Sequence, residues 1–307
     1  MKAAILITLL LTATSWSLGQ TTARSNSSNP FLNRDPPPIS AEAKRDMEAK
    51  LAEARERHGA NANDPEAAIW VGRRLAYLGR FREAIAFYTD AIKKFPRDAR
   101  LYRHRGHRYL TTRQFALAIK DLTTAARLTK GKPDELEPDG QPNARNVPTS
   151  TLQFNIWYHL GLAHYLTGNN AKALAAYREC LKVSNSPDRL VATSHWLYMT
   201  LRRINRTQEA ATVLAPISPQ MEIIENTGYY RLLLIYKGTI SPESLQAEAL
   251  KEASSPGSYS ILYGLGNWYL YNGKRTEAIR IFQQMLSGDQ WTSFGYIAAE
   301  ADMKRLR

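Results

Sequence analysis

Apolar residues recur every three or four positions along most of this chain, in blocks separated by short polar turns. That period predicts amphipathic helices. It is clearest in Phe154 to Cys180, FNIWYHLGLAHYLTGNNAKALAAYREC. Trp157, Leu160, Gly161 and His164 fall on one predicted helix, and Ala173, Tyr177 and Cys180 on a second, with Gly168 in the turn between them. Gly161 and Ala173 are small, which lets two helix backbones come close while aromatic rings fill the space above and below.

The same layout returns along the chain. A unit from Pro65 places Gly72, Leu75, Gly79, Ala84, Tyr88, Ala91 and Pro96 at matching positions. The next, from Ala99, supplies Tyr102, Gly106, Tyr109, Ala118, Leu122 and Ala125. After Phe154, further units start at Val191, Glu225 and Tyr259. The last has Leu262, Leu265, Gly266, Tyr269, Gly273, Ala278 and Phe282. The Val191 unit is weaker, because Tyr198 stands at the small position. The Glu225 unit is weakest, a buried-looking run from Tyr229 to Tyr236 ended by Gly238. Gly79, Gly168, Asn205 and Gly273 share one turn position and accept a left-handed backbone, whereas Arg113 and Thr239 break the rule.

A unit of about 34 residues with these small, aromatic and turn positions resembles the tetratricopeptide repeat. The resemblance runs from Pro65 to about Thr292, with His164 where the family has Tyr and Cys180 where it has Ala. It implies an all-α fold: a right-handed solenoid of about six helix pairs with a concave groove and helical caps at both ends. It also implies that the groove is lined by set positions of each first helix. Carried over, these point Arg73, Tyr77, Arg100, Arg103 and His107 into the groove at its N-terminal end. Asn155, Tyr158 and Tyr165 follow, then His195, Met199, Arg202 and Arg203, and last Tyr263, Asn267 and Tyr271. Family members that hold peptide carboxyl termini use Lys, Arg and Asn here, but the full set is missing, so only the groove is carried over.

The flanks and the interruption complete the organisation. Residues 1–19 read as a secretory signal: Lys2, an apolar run from Ala3 to Ala13, and small Ser17 and Gly19 before a cut at Gln20. The expected location is the periplasm or the outside of a bacterium, with an uncleaved anchor as the alternative. Residues 20–39, rich in Ser, Asn and Pro, read as a disordered or extended linker. Residues 40–64 hold a charged helix capped by Ser40, with Met47, Leu51 and Ala54 on its one apolar face. Residues 65–132 are the first two repeats and 154–292 the other four. Residues 293–307 form a capping helix with Phe294, Ile297, Ala298 and Ala301 inward and Glu300, Asp302, Lys304 and Arg305 solvated. Between the second and third repeats lies an insert, 133–153, with four prolines and the acidic run Asp134-Glu135-Leu136-Glu137-Pro138-Asp139.

Charge sharpens this picture. The chain carries a formal +13. From Pro65 to Lys132, 16 Lys and Arg stand against 5 Asp and Glu, so almost all the excess sits in the first two repeats. Arg100, Arg103, Arg105 and Arg108 with His104 and His107 form the densest run. A solvated basic face is one reading and an anion-binding groove the other. The acidic insert follows at once. It reads either as a mobile surface loop or as a tethered pseudo-ligand, with Asp134 to Asp139 folded back onto the basic repeats.

No phosphate loop, dinucleotide fingerprint or nucleophile motif occurs, and His104 and His107 lack a third ligand at a telling spacing. Neither a metal nor a cofactor is expected, and no catalytic residue is named. The lone Cys180 is expected to be an inert core thiol. Nucleic acid is the usual partner of so basic a chain, but export argues against it. The expected function is a non-catalytic scaffold or assembly factor that binds an acidic protein or peptide in its groove. The alternatives are a binder of an anionic cell-wall or small-molecule ligand, and a cryptic hydrolase.

Overall fold

The structure is a computed structural model that describes residues 29–251 and 255–307, so the expected signal lies outside the described residues. The described residues form fourteen α-helices and no β-strand. Six consecutive helix pairs build a helical solenoid: α2 (Pro65–Tyr77) with α3 (Phe81–Lys94), α4 (Ala99–Thr111) with α5 (Phe115–Thr129), and α6 (Leu152–Leu166) with α7 (Asn170–Lys182). Then come α8 (Pro187–Arg203) with α9 (Thr207–Val213), α10 (Thr227–Tyr236) with α11 (Pro242–Lys251), and α12 (Pro256–Tyr271) with α13 (Arg275–Leu286). Helix α1 (Ala41–Ala60) packs on α2 through Leu51 and Ala54, and α14 (Phe294–Leu306) follows the last pair.

Local chemistry starts these helices. Asp64, Asp98, Ser186, Ser255 and Ser293 each accept a hydrogen bond from a backbone N–H of the first turn, and proline follows the cap in α2, α8 and α12. In four of the pairs a glycine of the first helix receives a large residue of the second. A Cβ on Gly161 would sit 2.6 Å from the Tyr177 ring, one on Gly72 2.3 Å from Tyr88, and one on Gly266 2.5 Å from Phe282. Where Tyr198 replaces the glycine, α9 has only seven residues, and the Tyr198 ring stacks on Tyr236 of the next pair at 4.6 Å.

Six turns close the six pairs, and all six use a left-handed residue: Gly79, Arg113, Gly168, Asn205, Gly238 and Gly273. In the fifth pair Gly238 takes the conformation in place of Thr239. Arg113, at φ 58°, adopts it despite its side chain, which ordinarily costs about 1–2 kcal/mol. Its guanidinium supplies the compensation. It donates to Glu300 of α14 at 3.0 and 3.1 Å, and it lies 4.2 Å from the Phe31 ring centroid and 5.5 Å from that of Trp291.

The clasp involves residues 29–39, the described part of the stretch read as a disordered or extended linker. Residues 29–39 are pinned between the two ends of the solenoid. Asn29 donates to the Thr112 carbonyl, Pro36 covers Gly79, and Trp291 donates through Nε1 to the Asp35 carbonyl at 2.8 Å. The apolar Phe31 and Leu32, set among polar residues, are the ones that pack.

Candidate functional site

The first helices α2, α4, α6, α8, α10 and α12 neighbour one another and form the inner face of the solenoid. The chain itself covers both ends of that face. At the C-terminal end, α14 packs on α12 and reaches α6. Tyr165, Tyr263 and Asn267 are buried beneath it in one network. The Tyr165 and Tyr263 hydroxyls are 2.7 Å apart, Asn267 Nδ2 donates to Tyr165 at 3.1 Å, and Arg203 donates to Asn267, Tyr263 and Asp302. The groove is therefore not open here, and the expectation that Asp302 is solvated is corrected: it is 2% exposed and held by Arg203 and Arg305. Glu300, also expected in solvent, is mostly covered by its pair with Arg113. Burial alone would push the Asp302 carboxyl up, but the two arginines outweigh burial and hold it below the usual carboxylate range.

In the middle of the inner face, Asn155 donates to Ser150, and its carbonyl accepts from His159 Nδ1. The Tyr158 hydroxyl accepts from Trp196 Nε1 at 2.7 Å and meets Tyr229. Both side chains are buried and tie α6 to its neighbours.

The N-terminal end is different. Helical geometry splits the basic run of α4. Arg105 turns to α5 and makes two hydrogen bonds to Asp121, and Arg100 pairs with Asp98 and Glu66 near the surface. Arg103, His104, His107 and Arg108 instead converge with Arg73, Tyr77 and Tyr88 around a cavity of about 180 Å³. Ala76 and the insert residues Glu137, Pro138, Asp139 and Ser150 complete its wall. A wider space of about 440 Å³ adjoins it past Tyr77, His107 and Arg108, bounded by Pro36 to Ile39.

The insert is fixed at its base and along its length. Leu136 and Thr151 form an antiparallel bridge, Glu137 N–H donates to the Ser150 carbonyl, and Leu152 N–H donates to the Glu135 carbonyl. Further on, Arg74 donates to the Gly140 carbonyl at 2.8 Å, and Asn143 and Thr149 donate to Glu225 beyond the fourth pair. Asp188 holds that loop through the backbone N–H groups of Ile224, Glu225 and Asn226. This anchorage places the Glu137 carboxylate 2.9 Å from Arg103 Nη2, with both side chains about nine-tenths buried.

Electrostatics at the cavity follow from burial and crowding of like charge. Arg103 Nη1 can only donate, so His104 Nδ1 accepts from it at 3.1 Å and His104 carries its proton on Nε2, facing Glu137. Burial, with Arg103 and Arg73 beside it, holds His104 well below the usual histidine range. His107 is lowered too, by burial and Arg108, and its ring lies 4.5 Å from His159. All three rings are neutral at pH 7. Arg73 stacks on Trp70 at 4.4 Å and, among the described residues, donates only to the Tyr77 hydroxyl. Arg108 has no hydrogen-bond or ion-pair partner among the described residues, and burial pulls its guanidinium down to about 10. It occupies a position that the family does not assign to its groove, so the positional carry-over misses it. His104 is missed for the same reason, while Glu137 belongs to the acidic run of the insert, outside the repeat positions.

Comparison with known proteins agrees with this architecture. Tetratricopeptide repeat family models match residues 72–133, 154–186 and 261–294. These stretches carry tetratricopeptide repeats. Among solved structures it is similar to YrrB, described as a TPR protein with an unusual peptide-binding site, at 15% identity over 82% of this chain and 97% of that one, with a TM-score of 0.43. It is also similar to a Podospora anserina putative kinesin light chain with nearly identical TPR-like repeats, at 16% identity over 78% of this chain and 96% of that one, with a TM-score of 0.42. Comparison with curated proteins gives no match.

Proposed function

We propose that this protein is an exported, non-catalytic scaffold that binds an acidic segment of a partner protein at the basic N-terminal end of its inner face. One observation carries the reading: the chain's own acidic insert already sits there, with the Glu137 carboxylate on Arg103 between Arg73 and His104. A partner carboxylate would exchange with Glu137, using the same planar donor fork. The aromatic end contributes structure, since α14 covers it.

The test is a titration with an acidic peptide and a neutral peptide of equal length, over a range of salt. Arg73→Met is a suitable variant because Arg73 pairs directly with no carboxylate, so its loss strands no acid. Salt-sensitive binding of the acidic peptide alone, weakened about tenfold in the variant, supports the reading. Equal binding of both peptides refutes it. The small size of the cavity favours a second reading, a binder of a small or polymeric anion such as a cell-wall fragment. Export rests on the pattern of residues 1–19, and amino-terminal sequencing of the protein from an envelope fraction checks it.

A further inference from the structure

The carboxylate that the chain supplies does not satisfy the cavity. Three guanidiniums, those of Arg73, Arg103 and Arg108, line it, and Glu137 reaches only Arg103. Among the described residues, Arg103 Nε, on a side chain about nine-tenths buried, has no acceptor, and neither His107 Nδ1 nor Glu137 Oε2 has a partner. The other acid, Asp139, meets none of the three arginines in a hydrogen bond, and burial together with Glu225 raises its carboxyl. Arg73 and Arg103 are buried and a buried cation short of counter-charge is costly, whereas Arg108 is partly exposed and keeps its fork open at the cavity. The three forks come from two helices, α2 and α4, and line the same cavity. That arrangement suits an acceptor with several oxygens around a centre better than a flat carboxylate. The volume admits such a group and excludes a folded peptide.

We propose that this cavity is a binding site for a phosphoryl group, held by Arg108, Arg73 and the free Nε of Arg103, beside Glu137. The inference rests on the reading of the basic end as a binding site and names the chemistry of its anchor. Arg108 is the residue that sets the preference for a phosphoryl oxyanion.

The experiment uses the full chain and follows melting temperature in inorganic phosphate and in acetate at equal ionic strength. Phosphate at about a hundredfold over its Kd is expected to raise the wild-type melting temperature by roughly 5–10 °C, and acetate by much less. Arg108→Met removes one of the three forks and is expected to lose the phosphate response. Arg108→Lys keeps the charge without the fork and is expected to retain a reduced response. Arg178→Met, which alters an exposed pair far from the cavity, is the control and keeps the full response. Equal shifts in phosphate and acetate would overturn the proposal, and so would an Arg108→Met protein that responds like wild type. Failure of the peptide reading looks different: phosphate still stabilises through Arg108 while acidic and neutral peptides bind alike.

Discussion

Replacing Arg113 separates the two demands that the α4–α5 turn makes on one residue. The backbone there is left-handed at φ 58°, which favours glycine by about 1 kcal/mol. The side chain is 9% exposed, hydrogen-bonded twice to Glu300, and stacked against Phe31, Trp291 and Tyr296. Partly buried charged hydrogen bonds are worth about 1.5–3 kcal/mol and a sheltered cation–π contact about 1 kcal/mol. Arg113→Ala loses the clasp and keeps the strain, so it is expected to destabilise by about 3 kcal/mol. Arg113→Gly loses the same contacts but relaxes the turn, for a net loss of about 2 kcal/mol. Guanidinium denaturation of the three proteins measures both terms, and the difference between the alanine and glycine variants isolates the backbone. The clasp should also govern access: limited proteolysis is expected to cut near residues 29–39 faster in both variants. A glycine variant about 1 kcal/mol more stable than wild type would show that the guanidinium contributes nothing, and the reasoning would fail.

Other expectations follow from the packing. Gly161→Ala puts a methyl group 2.6 Å from the Tyr177 ring and should cost about 1–3 kcal/mol, read by chemical denaturation, whereas Gly257→Ala, whose methyl would meet only Ser255 Oγ at 3.9 Å, should be near neutral. Asp302→Asn leaves Arg203 short of its counter-charge and should cost about 3–5 kcal/mol at pH 7. Because Asp302 ionises below its unfolded value, its contribution is complete above about pH 4 and is lost as pH falls through the lower folded value. Melting curves against pH should therefore fall less steeply in acid for Asp302→Asn than for wild type.

The repeats were legible because their signal is local. Gly72, Gly161 and Gly266 and the aromatic rings that cover them lie within one helix pair, so each unit declares itself. The turn rule was legible too, and its exception was informative: Arg113 keeps the left-handed backbone because its side chain holds Phe31 and α14. What could not be read was long-range. Asp302 looks like a solvated charge on a capping helix until Arg203, 99 residues earlier, is placed beside it. Residues 29–39 read as linker because Pro36 and Phe31 find their partners only once the solenoid has curved round to Trp291. Charge did point to the basic end, since opposite signs adjacent in sequence need little folding to meet. It did not separate Arg108 from Arg105, because one helical turn decides which of them finds an acid.

The claim at the centre of this account is that an acidic ligand and Glu137 compete for Arg103. The direct measurement is the affinity of the acidic peptide for Glu137→Gln and for wild type, by calorimetry at low salt. Removing the tethered carboxylate should tighten binding about tenfold or more, since a tether presents its group at high effective concentration. An unchanged or weaker affinity would mean that the insert does not stand in for a ligand, and the account of this site would be wrong.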